Sequence, residues 1–192
     1  MAALFAALLF LALSGKARAD YDPEVDYLSI MVRAAACGDI EAGRAAEICR
    51  NEKIDETGSD EVKIAFQDLF LLAKIITSEA GSERLSDDWR MCVGEVVLNR
   101  VASPEFPDTV EEVIMQEGQY AGVNTDQFTY YLNPTEDSVD AALRLLQGER
   151  LMEPQVVFQA NFPQGGGVYA RYYDSIYGYT YFCSSSNPEL YW

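Results

Sequence analysis

The stretch Asp68–Arg100, DLFLLAKIITSEAGSERLSDDWRMCVGEVVLNR, reads as two apolar helices joined by a short polar loop. At about 100° per residue, Phe66, Leu69, Phe70, Leu72, Ala73, Ile75, Ile76 and Ala80 cover a broad arc of the first helix, while Gln67, Lys74 and Ser78 gather opposite. Glu79 falls inside the apolar arc, three residues after Ile76 and four after Ile75, on the wrong face for a solvated charge. Gly81 is expected to supply a left-handed residue that ends the helix, placing Glu79 in the last turn near the negative end of the helix dipole. Desolvation and the dipole both favour the protonated carboxyl, so the pattern predicts a raised pKa, as a general acid requires. Two other arrangements fit the same pattern: a glutamate that snorkels out at a fraying end, and one paired with Arg84 or Arg100.

Outward from this core, residues 1–19 read as a secretory signal peptide. Met1–Leu13 is uncharged and apolar, Ser14–Lys16 breaks the run, and Ala17-Arg18-Ala19 precedes Asp20 as an A-x-A cleavage signature. No Lys or Arg precedes the apolar run, which also fits an uncleaved anchor, but thirteen residues are short for a bilayer span. The expectation is export with cleavage and a soluble, secreted, extracytoplasmic product. The chain carries 14 Lys and Arg against 31 Asp and Glu, a net charge of -17, and loss of Lys16 and Arg18 makes it more negative. Nucleic acid and anionic membrane need basic patches and are not expected partners. The sequence has no histidine. That excludes Ser-His-Asp and Cys-His catalysis and removes the commonest metal ligand, so neither metal nor cofactor is expected.

Cys37, Cys49, Cys92 and Cys183 make an even set that, with an export signal, predicts two disulfides among three possible pairings. Cys37 with Cys49 is favoured because they follow and end two helix-like runs, 24–36 and 40–50, turning at Gly38-Asp39; Cys92 with Cys183 would tie the second core helix to the C-terminal segment. Free buried thiols are the alternative. Residues 20–60 read as a helical hairpin followed by a polar linker, NEKIDETGSD at 51–60, and residues 61–192 as the main domain, expected to be monomeric.

After the core helices, Ser103-Pro104-Glu105-Phe106-Pro107 is a rigid connection. Thr109 with Glu112 forms a capping box for a short helix to Gln116, and a second helix is expected from Pro134 to about Gln147, closed by Gly148. Gln119-Tyr120 lies on a loop between glycines. Val156–Ala160 reads as a strand, and Tyr169–Cys183 is dense in tyrosine, a residue that offers flat faces to sugar rings when exposed and fills core when buried.

These segments carry a family resemblance. LLAKIITSEA at 71–80, VGEVVLNRV at 93–101, SPEFP at 103–107, VIMQ at 113–116 with Gln119-Tyr120, VFQ at 157–159 and YGYTYF at 177–182 together resemble the catalytic domain of the spore cortex-lytic, cell-wall hydrolase family. The resemblance implies a mainly α (α+β) fold akin to lytic transglycosylases and goose-type lysozymes, with a few short strands near the cleft. It implies cleavage of the β-1,4 bond between N-acetylmuramic acid and N-acetylglucosamine in peptidoglycan, and the family's catalytic glutamate falls on Glu79. Tyr179 stands where that family often has histidine. A two-carboxylate hydrolase needs a partner acid at about 5–5.5 Å or about 6.5–9.5 Å, for which Glu83, Asp87, Asp88 and Asp126 are the candidates. A lytic transglycosylase needs only one, and is the preferred reading; a muramidase using water, or a noncatalytic wall-binding protein, are the alternatives. Gln119, Tyr120, Phe158 and Tyr181 are expected to shape the saccharide cleft.

Overall fold

A computed structural model describes Asp22 and residues 24–191, so the segment read as a signal peptide lies outside the described residues. Among the described residues, six α-helices and one three-stranded sheet form the fold, which is mainly α with a small β component, as expected. The helices are α1 (Tyr27–Cys37), α2 (Ile40–Thr57), α3 (Phe66–Ala80), α4 (Asp87–Val101), α5 (Val110–Met115) and α6 (Glu136–Leu146). A single π-helical turn, Gln127–Tyr131, precedes α6. The antiparallel strands β1 (Val156–Ala160), β2 (Gly167–Asp174) and β3 (Gly178–Ser184) lie in the order β1-β3-β2.

Short polar side chains start the helices by satisfying amides that have no partner in the first turn. Asp26, Asp39, Ser86, Thr109 and Thr135 each accept from a backbone N–H two or three residues into α1, α2, α4, α5 and α6. At α5 the expected capping box forms differently in detail: the Thr109 hydroxyl accepts from the Glu112 amide at 3.2 Å and itself donates to the Glu112 carboxylate at 2.8 Å. The 51–60 segment is not a linker. α2 runs on to Thr57, because Arg50 and Ile54 are buried and Arg50 donates to the Val62 carbonyl at 2.9 Å and to Glu61 at 3.0 Å.

α3, α4 and α6 meet around Gly94. A Cβ there would stand 2.6 Å from a Leu145 methyl and 2.7 Å from the Ile76 Cδ1, so the three helices pack closer than any larger residue permits. Lys74, expected on the polar face, is buried: the π-turn covers it, its ammonium donates to the Thr129 carbonyl at 3.2 Å, and the rings of Phe70 and Phe128 lie 5.2 and 4.9 Å away.

Neither expected disulfide forms, and all four cysteines are free thiols. α1 and α2 turn back on each other at Gly38-Asp39, so Cys49, nine residues into α2, lies beside Tyr27 at the far end of α1 rather than beside Cys37. Cys92 faces the Tyr172 hydroxyl at 3.7 Å. Cys183 alternates with Phe182 along β3, and since Phe182 packs on Tyr172 toward the helices, Cys183 points to the other side of the sheet. Four thiols should therefore react in denaturant without reductant, and only exposed Cys37 should react in the native protein. A thiol count of zero in unreduced denatured protein would contradict the free set.

After its charged first turn, where buried Arg90 bonds Asp87, Asp137 and the Ser82 carbonyl, α4 is apolar except for one polar stripe. Glu95, Asn99 and Arg100 are buried, and all three bind the backbone entering β1. Glu95 accepts from the amides of Leu151 at 2.8 Å and Met152 at 3.0 Å; Asn99 donates to the carbonyls of Glu153 and Val156, both at 3.1 Å; Arg100 Nε donates to the Val157 carbonyl at 2.6 Å. Removing Glu95 strands two donors inside the protein. Glu95→Ala is expected to cost about 3–5 kcal/mol in urea denaturation, with Glu95→Gln, which keeps one acceptor, costing less; a loss under about 1 kcal/mol for Ala would mean the carboxylate does not hold this segment.

Candidate active site

Glu79 occupies the last turn of α3, which ends at Ala80. Gly81 does not end the helix in the left-handed way expected of it: its φ is -75° and its amide donates to the Thr77 carbonyl. A side chain is excluded there by the Thr77 carbonyl oxygen, which would clash with a Cβ. Glu79 is half-buried, and burial raises its carboxyl above the ordinary carboxylate range. One interaction opposes this, a hydrogen bond from Gln159 Nε2 on β1 at 3.2 Å. Neither arginine is its partner. Arg84 donates to Asp174 at 3.2 Å and Ser175 at 3.4 Å, tying the loop after Glu79 to the β2–β3 turn, and Arg100 is held by Val157 and lies 5.0 and 5.6 Å from the rings of Phe106 and Tyr120.

The strand register explains why Gln159 reaches Glu79. It pairs directly with Phe182, so both side chains share the face turned toward the helices. Tyr120 is 8% exposed; burial pushes its phenol up to about 12, and the charge of Glu79 is within reach to contribute to the rise. The Tyr120 hydroxyl and the Gln159 carbonyl oxygen are buried without a protein hydrogen-bond partner among the described residues. Two buried polar atoms, one of them on the side chain that bonds Glu79, therefore retain capacity for a ligand's hydroxyls or amides.

Of the residues read from sequence, Tyr120 is the one whose phenol feels the charge of Glu79. Gln119, the neighbour of Tyr120, is exposed. Phe158 packs edge-on against Phe106 at 6.1 Å, and Tyr181 lies on the opposite face of the sheet from Gln159, in contact with Tyr179. Glu83, Asp87, Asp88 and Asp126 are all exposed, Asp87 is paired with Arg90, and no carboxylate contributes to the shift of Glu79. The residue that sequence reading missed is Gln159. Its signal was present, an amide inside an otherwise apolar strand, VVFQA. Among the described residues no group of Cys, Asp or Glu has a metal-binding arrangement, and no helix is long and apolar enough to cross a membrane.

Comparison with known proteins bears on the same region. The sequence model of the Cell Wall Hydrolase family matches residues 86–164, from the start of α4 past β1. The chain resembles the cell wall hydrolase family. The Spore cortex-lytic enzyme of Halalkalibacterium halodurans is 31% identical over 102 residues, which cover 53% of this chain and 26% of that relative. The present chain thus spans about a quarter of the length of the curated relative it matches. No solved structure matches. The family match includes Glu95, Asn99, Arg100, Tyr120 and Gln159, while Glu79 lies just before its first residue.

A buried acid with a raised pKa stabilises the fold while protonated, below its unfolded pKa, and that contribution is lost as pH rises through the folded pKa. Glu79→Gln keeps an oxygen to accept from Gln159 and carries no charge. Its melting temperature should match wild type near pH 4 and exceed it near pH 8; a lower melting temperature at pH 8 would show that the ionised carboxylate is structural.

Proposed function

We propose that the protein cleaves peptidoglycan at the β-1,4 bond between N-acetylmuramic acid and N-acetylglucosamine by lytic transglycosylation, with Glu79 as general acid and then base. The observation that carries this reading is the isolation of Glu79: a half-buried carboxyl favoured in its protonated form, bonded to one amide, with no second carboxylate acting on it. A displacement by activated water is served by two acids, whereas an intramolecular one is served by a single acid. The resemblance to cell wall hydrolases and to a spore cortex-lytic enzyme supports the substrate class.

In this reaction protonated Glu79 gives its proton to the glycosidic oxygen as the bond from that oxygen to the muramyl C1 breaks, and the N-acetylglucosamine side leaves as an alcohol. The carboxylate so formed takes the proton of the muramyl C6 hydroxyl, whose oxygen closes on C1 to give the 1,6-anhydro sugar. Glu79 is again protonated and no water is consumed. Gln159 donates to the carboxylate oxygen and fixes its orientation through both steps, and Tyr120 offers its hydroxyl to the saccharide beside it. Proteolytic nucleophiles are not needed at any point, which suits a chain without histidine.

Release of soluble muropeptides from purified peptidoglycan tests this directly. Glu79→Gln should reduce release at least about a thousandfold, in line with loss of a general acid–base group, while remaining folded. Wild-type release should fall as pH rises through the raised Glu79 pKa, above the range of an ordinary carboxylate. Undiminished release by Glu79→Gln would remove Glu79 from the chemistry, and wild-type binding to sacculi without release would make the protein a noncatalytic wall binder.

A further inference from the structure

The sheet has a second face, and its side chains are unlike the rest of the surface. Beyond an irregularity at Val168–Ala170, β2 alternates, with Ala170, Tyr172 and Asp174 turned inward and Tyr169, Arg171 and Tyr173 outward. Pairing of Tyr173 with Tyr179 and of Arg171 with Tyr181 continues the outward row onto β3. The rings of Tyr173, Tyr179 and Tyr181 form a ladder with centroids 4.8 and 5.7 Å apart, and the Arg171 guanidinium lies 5.6 Å from the Tyr179 ring. Tyr173 is 63% and Tyr179 43% exposed. Arg171 is the charged side chain of this outward row, and the row contains no acid, in a chain where 31 acids outnumber 14 bases.

From this ladder we infer that the outer face of β2 and β3 is an accessory binding surface for peptidoglycan strands, separate from the face on which Gln159 meets Glu79. The inference rests on the substrate class proposed above. Tyrosine faces held side by side in a row suit a linear chain of pyranose rings, whose C–H faces stack on aromatic surface while the phenol edges meet hydroxyls. Arg171 supplies what a neutral polysaccharide does not require, a cation for the carboxylates of the lactyl-peptide substituents. The absence of acids from the row is complementary to the same groups: an acid here would repel them, and most of this protein's surface does.

Sedimentation of the full chain with purified peptidoglycan, in the Glu79→Gln background so that the polymer survives, tests the surface. Tyr173→Ser with Tyr179→Ser is expected to weaken binding about tenfold, Arg171→Glu to weaken it and to remove its salt dependence, and Tyr179→Phe, which keeps the stacking ring, to bind as the parent does. With Glu79 intact, the Tyr173→Ser/Tyr179→Ser variant should turn over short soluble glycan fragments within about twofold of wild type, because the ladder does not face the acid. Parental binding by both the double serine variant and Arg171→Glu overturns the inference. So does a loss of short-fragment turnover equal to the loss of binding, which would place the ladder in the catalytic cleft. So does equal retention on chitin, which has no carboxylates. If wild type shows no turnover yet binds through the ladder, the catalytic proposal fails and the binding surface stands.

Discussion

The arrangement at Glu79 depends on a polar stripe buried in the C-terminal half of α4. Glu95, Asn99 and Arg100 spend their hydrogen bonds on the backbone between Leu151 and Val157. Buried polar side chains are costly unless satisfied, and here the satisfaction is what fixes the chain entering β1 against α4. β1 is a short edge strand, pairing on one side only. Without the stripe its position along α4 would rest on that one ladder. With it, Gln159 arrives within hydrogen-bonding distance of Glu79. Arg100 does a second thing: its guanidinium lies 5.6 Å from the ring of Tyr120, whose phenol feels the charge of Glu79. One helix thus orients both groups that address Glu79, from positions that do not touch it.

Packing and chemistry make opposed demands at the end of α3. Leu72, Ile75 and Ile76 are fully buried, and the approach of α4 at Gly94 draws the helix end into the core. Glu79 shares that face and is desolvated with its neighbours, which disfavours its ionised form. A structural acid in such a place is normally matched by a cation, and both nearby arginines are engaged elsewhere. The site thereby favours the protonated form of the acid at the expense of some stability, a common signature of groups that move protons.

Much of this was legible in the sequence because it is local. The apolar arc of 66–80 located Glu79, the Thr109 capping box and Pro134 located two helices to within a residue or two, and Val156–Ala160 read as a strand, whereas 169–183 showed only as a tyrosine-dense run. What was misread depended on parts of the chain far apart. Lys74 looked solvated because nothing local shows that the 127–131 turn would cover it. The cysteine pairings failed on helix length and strand facing: α2 is longer than its apolar pattern suggested, and Cys183 lies on the wrong side of β3. Gln159 and Tyr181 exchanged roles for the same reason. Both sit in tyrosine- or valine-rich strands, and the register of β1 on β3 decides which of them faces the helices.

In the proposed reaction Glu79 acts without an activated water, closing the muramyl C6 hydroxyl onto C1. Digestion of purified peptidoglycan in water enriched in oxygen-18, followed by mass analysis of the released muropeptides, tests it most directly. The account predicts anhydro-muramyl ends that carry no label. Reducing muramyl ends labelled at C1 would show that water is the nucleophile and would contradict it.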